Sequence, residues 1–110
     1  MNNNILKVVF SKKSDDWETP LYIFNQINQK WGPFTLDPCV GLSGIKLCNK
    51  IYTIEDDGLK QDWGGEQTFV NPPYSQIKKW VLKGWNESIK WGTSVTFLIP
   101  ARVEDRKSVV

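Results

Sequence analysis

The apolar positions of this chain fall into short runs closed by proline or glycine, not into one sustained period. Thr68-Phe69-Val70 has strand composition and runs straight into Asn71-Pro72-Pro73-Tyr74. Two consecutive prolines remove the N–H groups that a central ladder needs and set φ to a turn value, so the backbone leaves the sheet at Asn71. Ser75 follows as a helix N-cap. Ile77, Trp80, Val81, Gly84, Trp85 and Ile89 then recur at helical spacing as far as Gly92, which predicts an amphipathic helix with a start and a stop. From Thr93 to Ile99 the chain is rich in β-branched and aromatic residues and halts at Pro100, a second strand. Thr68 to Ile99 is thus the βαβ unit of a parallel sheet.

The same punctuation recurs upstream. Thr19 is placed as an N-cap and Pro20 suits a first helical turn, while Leu21, Ile23, Phe24 and Ile27 supply an apolar stripe that extends to Lys30. The helix feeds Pro33-Phe34-Thr35-Leu36, a strand that ends in the turn Asp37-Pro38-Cys39-Val40-Gly41. A short strand is expected around Ile51-Tyr52-Thr53, before the acidic turn Glu55-Asp56-Asp57-Gly58-Leu59. Asn2-Asn3-Asn4 and the charged stretch from Lys12 to Asp16 predict a loosely ordered segment over 1–16. Residues 17–110 form a single domain without internal repeat or linker. The fold class expected is α/β, an open parallel sheet with helices on both faces.

Two strands therefore end in proline turns that carry a hydrogen-bonding side chain. In open α/β sheets, ligands bind beyond the carboxyl ends of strands where the strand order reverses, so both turns are expected to face one crevice. Asn71 offers a carboxamide, the prolines a stiff turn and Tyr74 an aromatic face, which suits a planar amine such as a nucleobase. Asp37 can accept from ligand hydroxyl or amino groups, or serve its own backbone as an Asx-turn acceptor.

Composition removes several classes of function. No G-x-G-x-x-G occurs, which argues against a dinucleotide-binding oxidoreductase. Two cysteines, Cys39 and Cys48, and no histidine cannot make a usual structural zinc site. There is no signal peptide and no apolar stretch long enough for a membrane, so a cytoplasmic chain with reduced thiols is expected. The net charge of +2 lacks the basic excess of a tight nonspecific DNA binder. Lys12, Lys13, Lys78, Lys79, Lys83 and Lys90 with Arg102 could frame a phosphate-facing rim, or simply solvate the helix. Trp80 and Trp85, two of six tryptophans, read as packing residues.

Five motifs in order carry a resemblance: Trp17-Glu18-Thr19-Pro20; Phe34-Thr35-Leu36-Asp37-Pro38-Cys39; Asp57-Gly58-Leu59 with Trp63; Phe69-Val70-Asn71-Pro72-Pro73-Tyr74-Ser75; and Leu98-Ile99-Pro100-Ala101-Arg102. From Trp17 to Arg102 the chain resembles the phage-type DNA adenine N6-methyltransferases, enzymes of bacteriophages and prophages. The resemblance implies a Rossmann-like class I methyltransferase sheet, S-adenosylmethionine as cofactor, double-stranded DNA as partner, action in the bacterial host cytoplasm, and no metal. It implies that the Asn71 side-chain oxygen and the backbone carbonyl after it accept the two hydrogens of an adenine amine, within the catalytic motif Asn71, Pro72, Pro73 and Tyr74. Tyr74 would stack on the base, which must leave the duplex to be reached, a contact worth roughly 1 to 3 kcal/mol. Asp37, Pro38 and Cys39 resemble the first cofactor loop, and Trp17, Thr19 and Pro20 the segment closing over the cofactor. Asp57 resembles the acidic residue near the cofactor adenine, with Asp56 an equally placed neighbour, and Arg102 a substrate contact.

The pattern departs from that family in two places. The glycine-rich turn typical of many nucleotide-binding βα units is replaced by Asp37 to Gly41, and the family continues beyond the Pro-Ala-Arg motif with further strands and helices. A fragment or truncated copy is expected, with a sheet incomplete at its C-terminal edge, Thr93 to Ile99 as an open last strand, and marginal stability. An inactive remnant or DNA-associated binding module, and a methyltransferase on another amine such as cytosine N4, where Ser usually replaces Asn71, stay open as alternatives.

Overall fold

The computed structural model describes residues 6–11, 19–41 and 45–100. Strands β1 (Leu6–Ser11), β2 (Leu36–Asp37), β3 (Lys50–Ile51), β4 (Thr68–Val70) and β5 (Val95–Pro100) form one sheet in the order β1-β5-β4-β2-β3. Every pairing is parallel. Helix α1 (Leu21–Trp31) precedes β2, and α2 (Ile77–Trp91) connects β4 to β5. The expected βαβ unit is present, as parallel neighbours require a crossover.

A parallel sheet must be covered on both faces, and alternation along the strands divides the apolar residues accordingly. Phe69 and Leu98 join Phe24 and Ile27 of α1, together with Phe34, in one cluster. Val70, Val95 and Phe97 join Leu36, Trp63 and Trp80 of α2 in the other. The first cluster centres on Phe69, whose ring lies 5.2 Å from Phe24 in an edge-on arrangement and 5.4 Å from Phe34. Helix α2 stops where glycine predicts: Gly92 adopts the left-handed conformation and its N–H donates to the Ser88 carbonyl.

Four local expectations are corrected. Ser75 does not cap α2; it lies inside a 3₁₀ turn, Tyr74–Gln76, closed by the Gln76 N–H on the Pro73 carbonyl at 2.9 Å. The double proline sends the chain through that tighter turn before the α-helix starts. Thr19 does not cap α1 either, because Pro20 holds the cap position and its carbonyl accepts from both Ile23 and Phe24 at 3.0 Å. Within the segment expected to be loosely ordered, Leu6–Ser11 forms β1; alternate apolar residues in Leu6-Lys7-Val8-Val9-Phe10 already carry a strand signal. Finally, β5 is not an open last strand. It is paired with β1 on one side and β4 on the other, leaving β1 and β3 as the edges.

Candidate active site

Strand order reverses between β2 and β4. From β2 the chain steps outward to β3, and from β4 it steps the other way to β5. The turns that follow β2 and β4 therefore leave the same end of the sheet side by side, the arrangement that opens a crevice in α/β folds. A cleft of about 510 Å³ occupies that place. Its walls come from residues 38–41 after β2, residues 57–60, Asn71 and Pro73 after β4, and Gln76, Lys79 and Trp80 leading into and along α2. The volume lies within the range of ligand sites.

Close backbone contact shapes the wall made by residues 57–60. A Cβ on Gly58 would overlap the Pro38 carbonyl oxygen and press on the Trp80 ring, so only glycine lets the two loops meet. Asp57 precedes it at φ 59, a left-handed conformation uncommon for a residue with a side chain. Trp63, almost fully buried, donates from Nε1 to the Gly58 carbonyl at 3.0 Å and stacks against Trp80 with ring centres 6.4 Å apart. The structure also separates two candidates that sequence leaves equivalent. The Asp56 carboxylate accepts from the Thr53 N–H and hydroxyl at 2.9 and 3.1 Å, within its own turn, whereas Asp57 lines the cleft.

Asp37 sits buried at the end of β2, 4% exposed and outside the cleft lining, one residue before Pro38, which does line it. Its Oδ1 accepts the Cys39 N–H at 3.1 Å. Burial pushes its carboxyl up to about 6, and that single backbone donor offsets only part of the effect. The thiols of Cys39 and Cys48 are pushed up to about 12, first by burial and then by the Asp37 charge, so both are packing residues with little nucleophilic character. Across the cleft, Asn71 donates from Nδ2 to Thr19 Oγ1 at 2.9 Å. Pro72 is buried under the turn; Pro73 faces the cleft, and Tyr74 is 47% exposed outside the cleft lining.

The structure thus gathers Pro38, Cys39, Asp57, Asn71 and Pro73 around one cleft, leaves Asp37 buried at the end of β2 outside its lining, and brings Thr19, but not Pro20, into a hydrogen bond with Asn71. Trp17 and Arg102 lie outside the described residues. The lysines expected to frame a rim divide: Lys79 lines the cleft, Lys78 does not, Lys83 is held by Glu87 at 3.0 Å and Lys90 pairs with Asp62 at 3.6 Å; Lys60, not among those expected, also lines the cleft. Lys12 and Lys13 are outside the described residues. Of the two tryptophans expected to be packing residues, Trp80 is core, whereas Trp85, 49% exposed, is not.

Glu87 is the residue that motif reasoning misses. Buried on α2, it accepts from the Trp63 N–H at 2.8 Å, Trp91 Nε1 at 2.9 Å and Lys83 Nζ at 3.0 Å. Burial alone would raise its carboxyl; the Trp63 and Lys83 contacts and the Trp91 N–H outweigh it and hold the group below its ordinary value. The helical spacing of Lys83, Glu87 and Trp91 was the available signal. Among the described residues, no group of three or more His, Cys, Asp or Glu is placed to hold a metal ion, and no helix is long and apolar enough to cross a membrane.

The family model for DNA N-6-adenine-methyltransferase (Dam) matches residues 7–106. A DNA N-6-adenine-methyltransferase of Haemophilus phage HP1 is 35% identical over 92 residues, 81% of this chain and 53% of that protein. One from Escherichia phage T1 is 31% identical over 88 residues, 79% of this chain and 36% of its own length. The chain spans about half and about a third of these two curated relatives. No solved structure matches it.

Proposed function

The chain belongs to the DNA N-6-adenine-methyltransferase family, and we propose that it binds S-adenosylmethionine in the cleft between the β2 and β4 turns and directs Asn71 at the exocyclic amine of an adenine taken out of double-stranded DNA. The observation that carries the proposal is the meeting of the Asp37 and Asn71 turns in one cleft where the strand order reverses.

The residues suit such a cofactor. A buried carboxylate whose side chain receives only the Cys39 N–H among the described residues has capacity left for a cation or a hydroxyl donor. Asp57 adds an acidic group on the cleft wall, and the apolar surfaces of Leu59 and Trp80 flank it. When bound, S-adenosylmethionine supplies an electrophilic sulfonium methyl group.

The chain's own residues then orient the acceptor. The Asn71 oxygen and the backbone carbonyl that follows accept the two amine hydrogens, so the nitrogen lone pair is directed toward the cofactor side. Pro72 and Pro73 hold the two acceptors in fixed relation, which is where most of the rate arises: the displacement needs alignment more than acid or base. The exposed Tyr74 ring offers the base a stacking face, worth roughly 1 to 3 kcal/mol. Breaking the base out of its stack costs a few kcal/mol, which that contact partly offsets. Such an enzyme would act on DNA in the cytoplasm of the host cell.

Calorimetric titration of the chain with S-adenosylmethionine, alongside methyl transfer to unmethylated DNA, tests this. Asn71→Ala is expected to abolish transfer with cofactor affinity nearly intact, whereas Asp37→Ala weakens cofactor binding. Equal loss of cofactor binding in both variants would contradict the division of roles, and a folded chain that binds no cofactor would contradict the function.

A further inference from the structure

Trp63 is 1% exposed and stands outside the cleft lining, yet two of the residues it touches, Gly58 and Trp80, belong to that lining. Gly58 is held by two partners from elsewhere in the chain. One is the Pro38 carbonyl, so close that it leaves no room for a Cβ. The other is the indole Nε1–H of Trp63, which donates to the Gly58 carbonyl at 3.0 Å. Gly58 lies in the turn that carries Asp57, Leu59 and Lys60 to the cleft wall. That turn is closed by the Lys60 N–H on the Asp57 carbonyl at 2.9 Å and, more loosely, by the Gln61 N–H on the Gly58 carbonyl at 3.3 Å. Asp57 keeps a left-handed conformation, φ 59, which persists only where the surroundings hold it. The indole is itself fixed, because the Trp63 backbone N–H donates to Glu87 Oε1 at 2.8 Å and its ring stacks on Trp80.

A buried carbonyl that loses its donor is unfavourable, and the chain recovers by moving that carbonyl toward water. Contact with Pro38 already blocks a closer approach of Gly58 to the 38–41 turn. Without the indole bond, residues 57–60 would therefore shift away from residues 38–41 and widen the cleft between them. Resting on the function proposed above, we infer that Trp63 is a positioning residue for cofactor binding: its indole N–H fixes the Gly58 carbonyl, and thereby the place of Asp57 relative to the Pro38 turn, without touching the cofactor.

Trp63→Phe removes the N–H and keeps an aromatic ring, while Asp57→Gly removes the carboxylate at a backbone conformation that glycine adopts freely; the two form a double-mutant cycle. Calorimetric affinity for S-adenosylmethionine is expected to fall about tenfold in each single variant. Because Trp63 acts through Asp57, the double variant should bind within about twofold of Asp57→Gly alone, whereas a merely structural role would make the two losses multiply. A second readout needs no ligand: the backbone amides of Lys60 and Gln61, which close the turn, should exchange with solvent about tenfold faster in Trp63→Phe, beyond any acceleration of the β5 amides. Should Trp63→Phe fail to fold, 3-benzothienylalanine at position 63, which keeps both fused rings and lacks the N–H, replaces it in both measurements. Unchanged affinity in a folded variant, losses that multiply in the double variant, or unchanged exchange at Lys60 and Gln61 would overturn the inference. A folded parent chain that binds no cofactor would count against the proposed function, with the exchange at Lys60 and Gln61 still deciding whether Trp63 holds the wall.

Discussion

Glu87 and Asp37 are both buried carboxylates, and they are treated in opposite ways. Glu87 receives Trp63 N–H, Trp91 Nε1–H and the Lys83 ammonium. Asp37 receives one backbone N–H from Cys39. Accordingly Glu87 is held below its ordinary value and Asp37 is pushed up to about 6. Burying a charge is unfavourable unless donors replace the lost water, so Glu87 belongs to the fold and Asp37 works against it. The Glu87 corner is closed: through Trp63 it braces the Gly58 carbonyl and hence the cleft wall. The Asp37 corner is unfinished in a way that a cationic or hydroxyl-bearing ligand would complete.

Substitution should expose the contrast most sharply at Glu87. Glu87→Ala leaves the buried Trp63 N–H without an acceptor and the Lys83 ammonium without its partner, at a cost of about 3 kcal/mol. Thermal unfolding should show a midpoint lower by about 10 °C or more; a variant that melts with the parent would show that the corner braces nothing.

Asp37→Asn should act in reverse. Removing an undercompensated charge should raise stability at neutral pH by an amount on the order of 1 to 3 kcal/mol, while cofactor affinity falls roughly tenfold or more. Denaturant midpoints and calorimetry on the same preparation check both halves.

The pH dependence separates the two groups without ambiguity of sign. Glu87, held below its ordinary 4.5, contributes stability that is present above that pH and is lost as pH falls through the folded value. Asp37 keeps its proton up to about 6 in the folded chain and loses it near 3.8 when unfolded. The folded chain then binds more protons in that window, so its share of stability declines from about pH 4 to about pH 6 and is level above. Stability profiles of Asp37→Asn should lack that decline and retain the Glu87 loss at low pH. Cofactor affinity of the parent should rise through the same window, because a cationic ligand favours the ionised carboxyl.

The smallest expected effect lies away from both corners. Thr96, fully buried in β5, has a hydroxyl without a hydrogen-bond partner among the described residues. Thr96→Val should therefore stabilise by about 1 kcal/mol, and a loss of stability in chemical denaturation would mean that the hydroxyl is satisfied in solution.

What the sequence alone determined is what neighbours along the chain decide. Two prolines end β4 at Val70, glycine in the left-handed conformation ends α2 at Trp91, and apolar spacing assigns the faces of both helices; sterics within a few residues suffice for each. The motif residues of the β2 and β4 turns were legible for the same reason, as was their expected meeting in a crevice. Tertiary structure decided where hydrogen bonds go. Whether Thr19 caps a helix or hydrogen-bonds to Asn71, whether Asp56 or Asp57 faces the cleft, which buried carboxylate is compensated, and whether β5 lies inside or at the edge all depend on segments brought together from far apart. No local pattern encodes those partners, because closing the intervening chain is an unfavourable entropy that only the assembled core offsets.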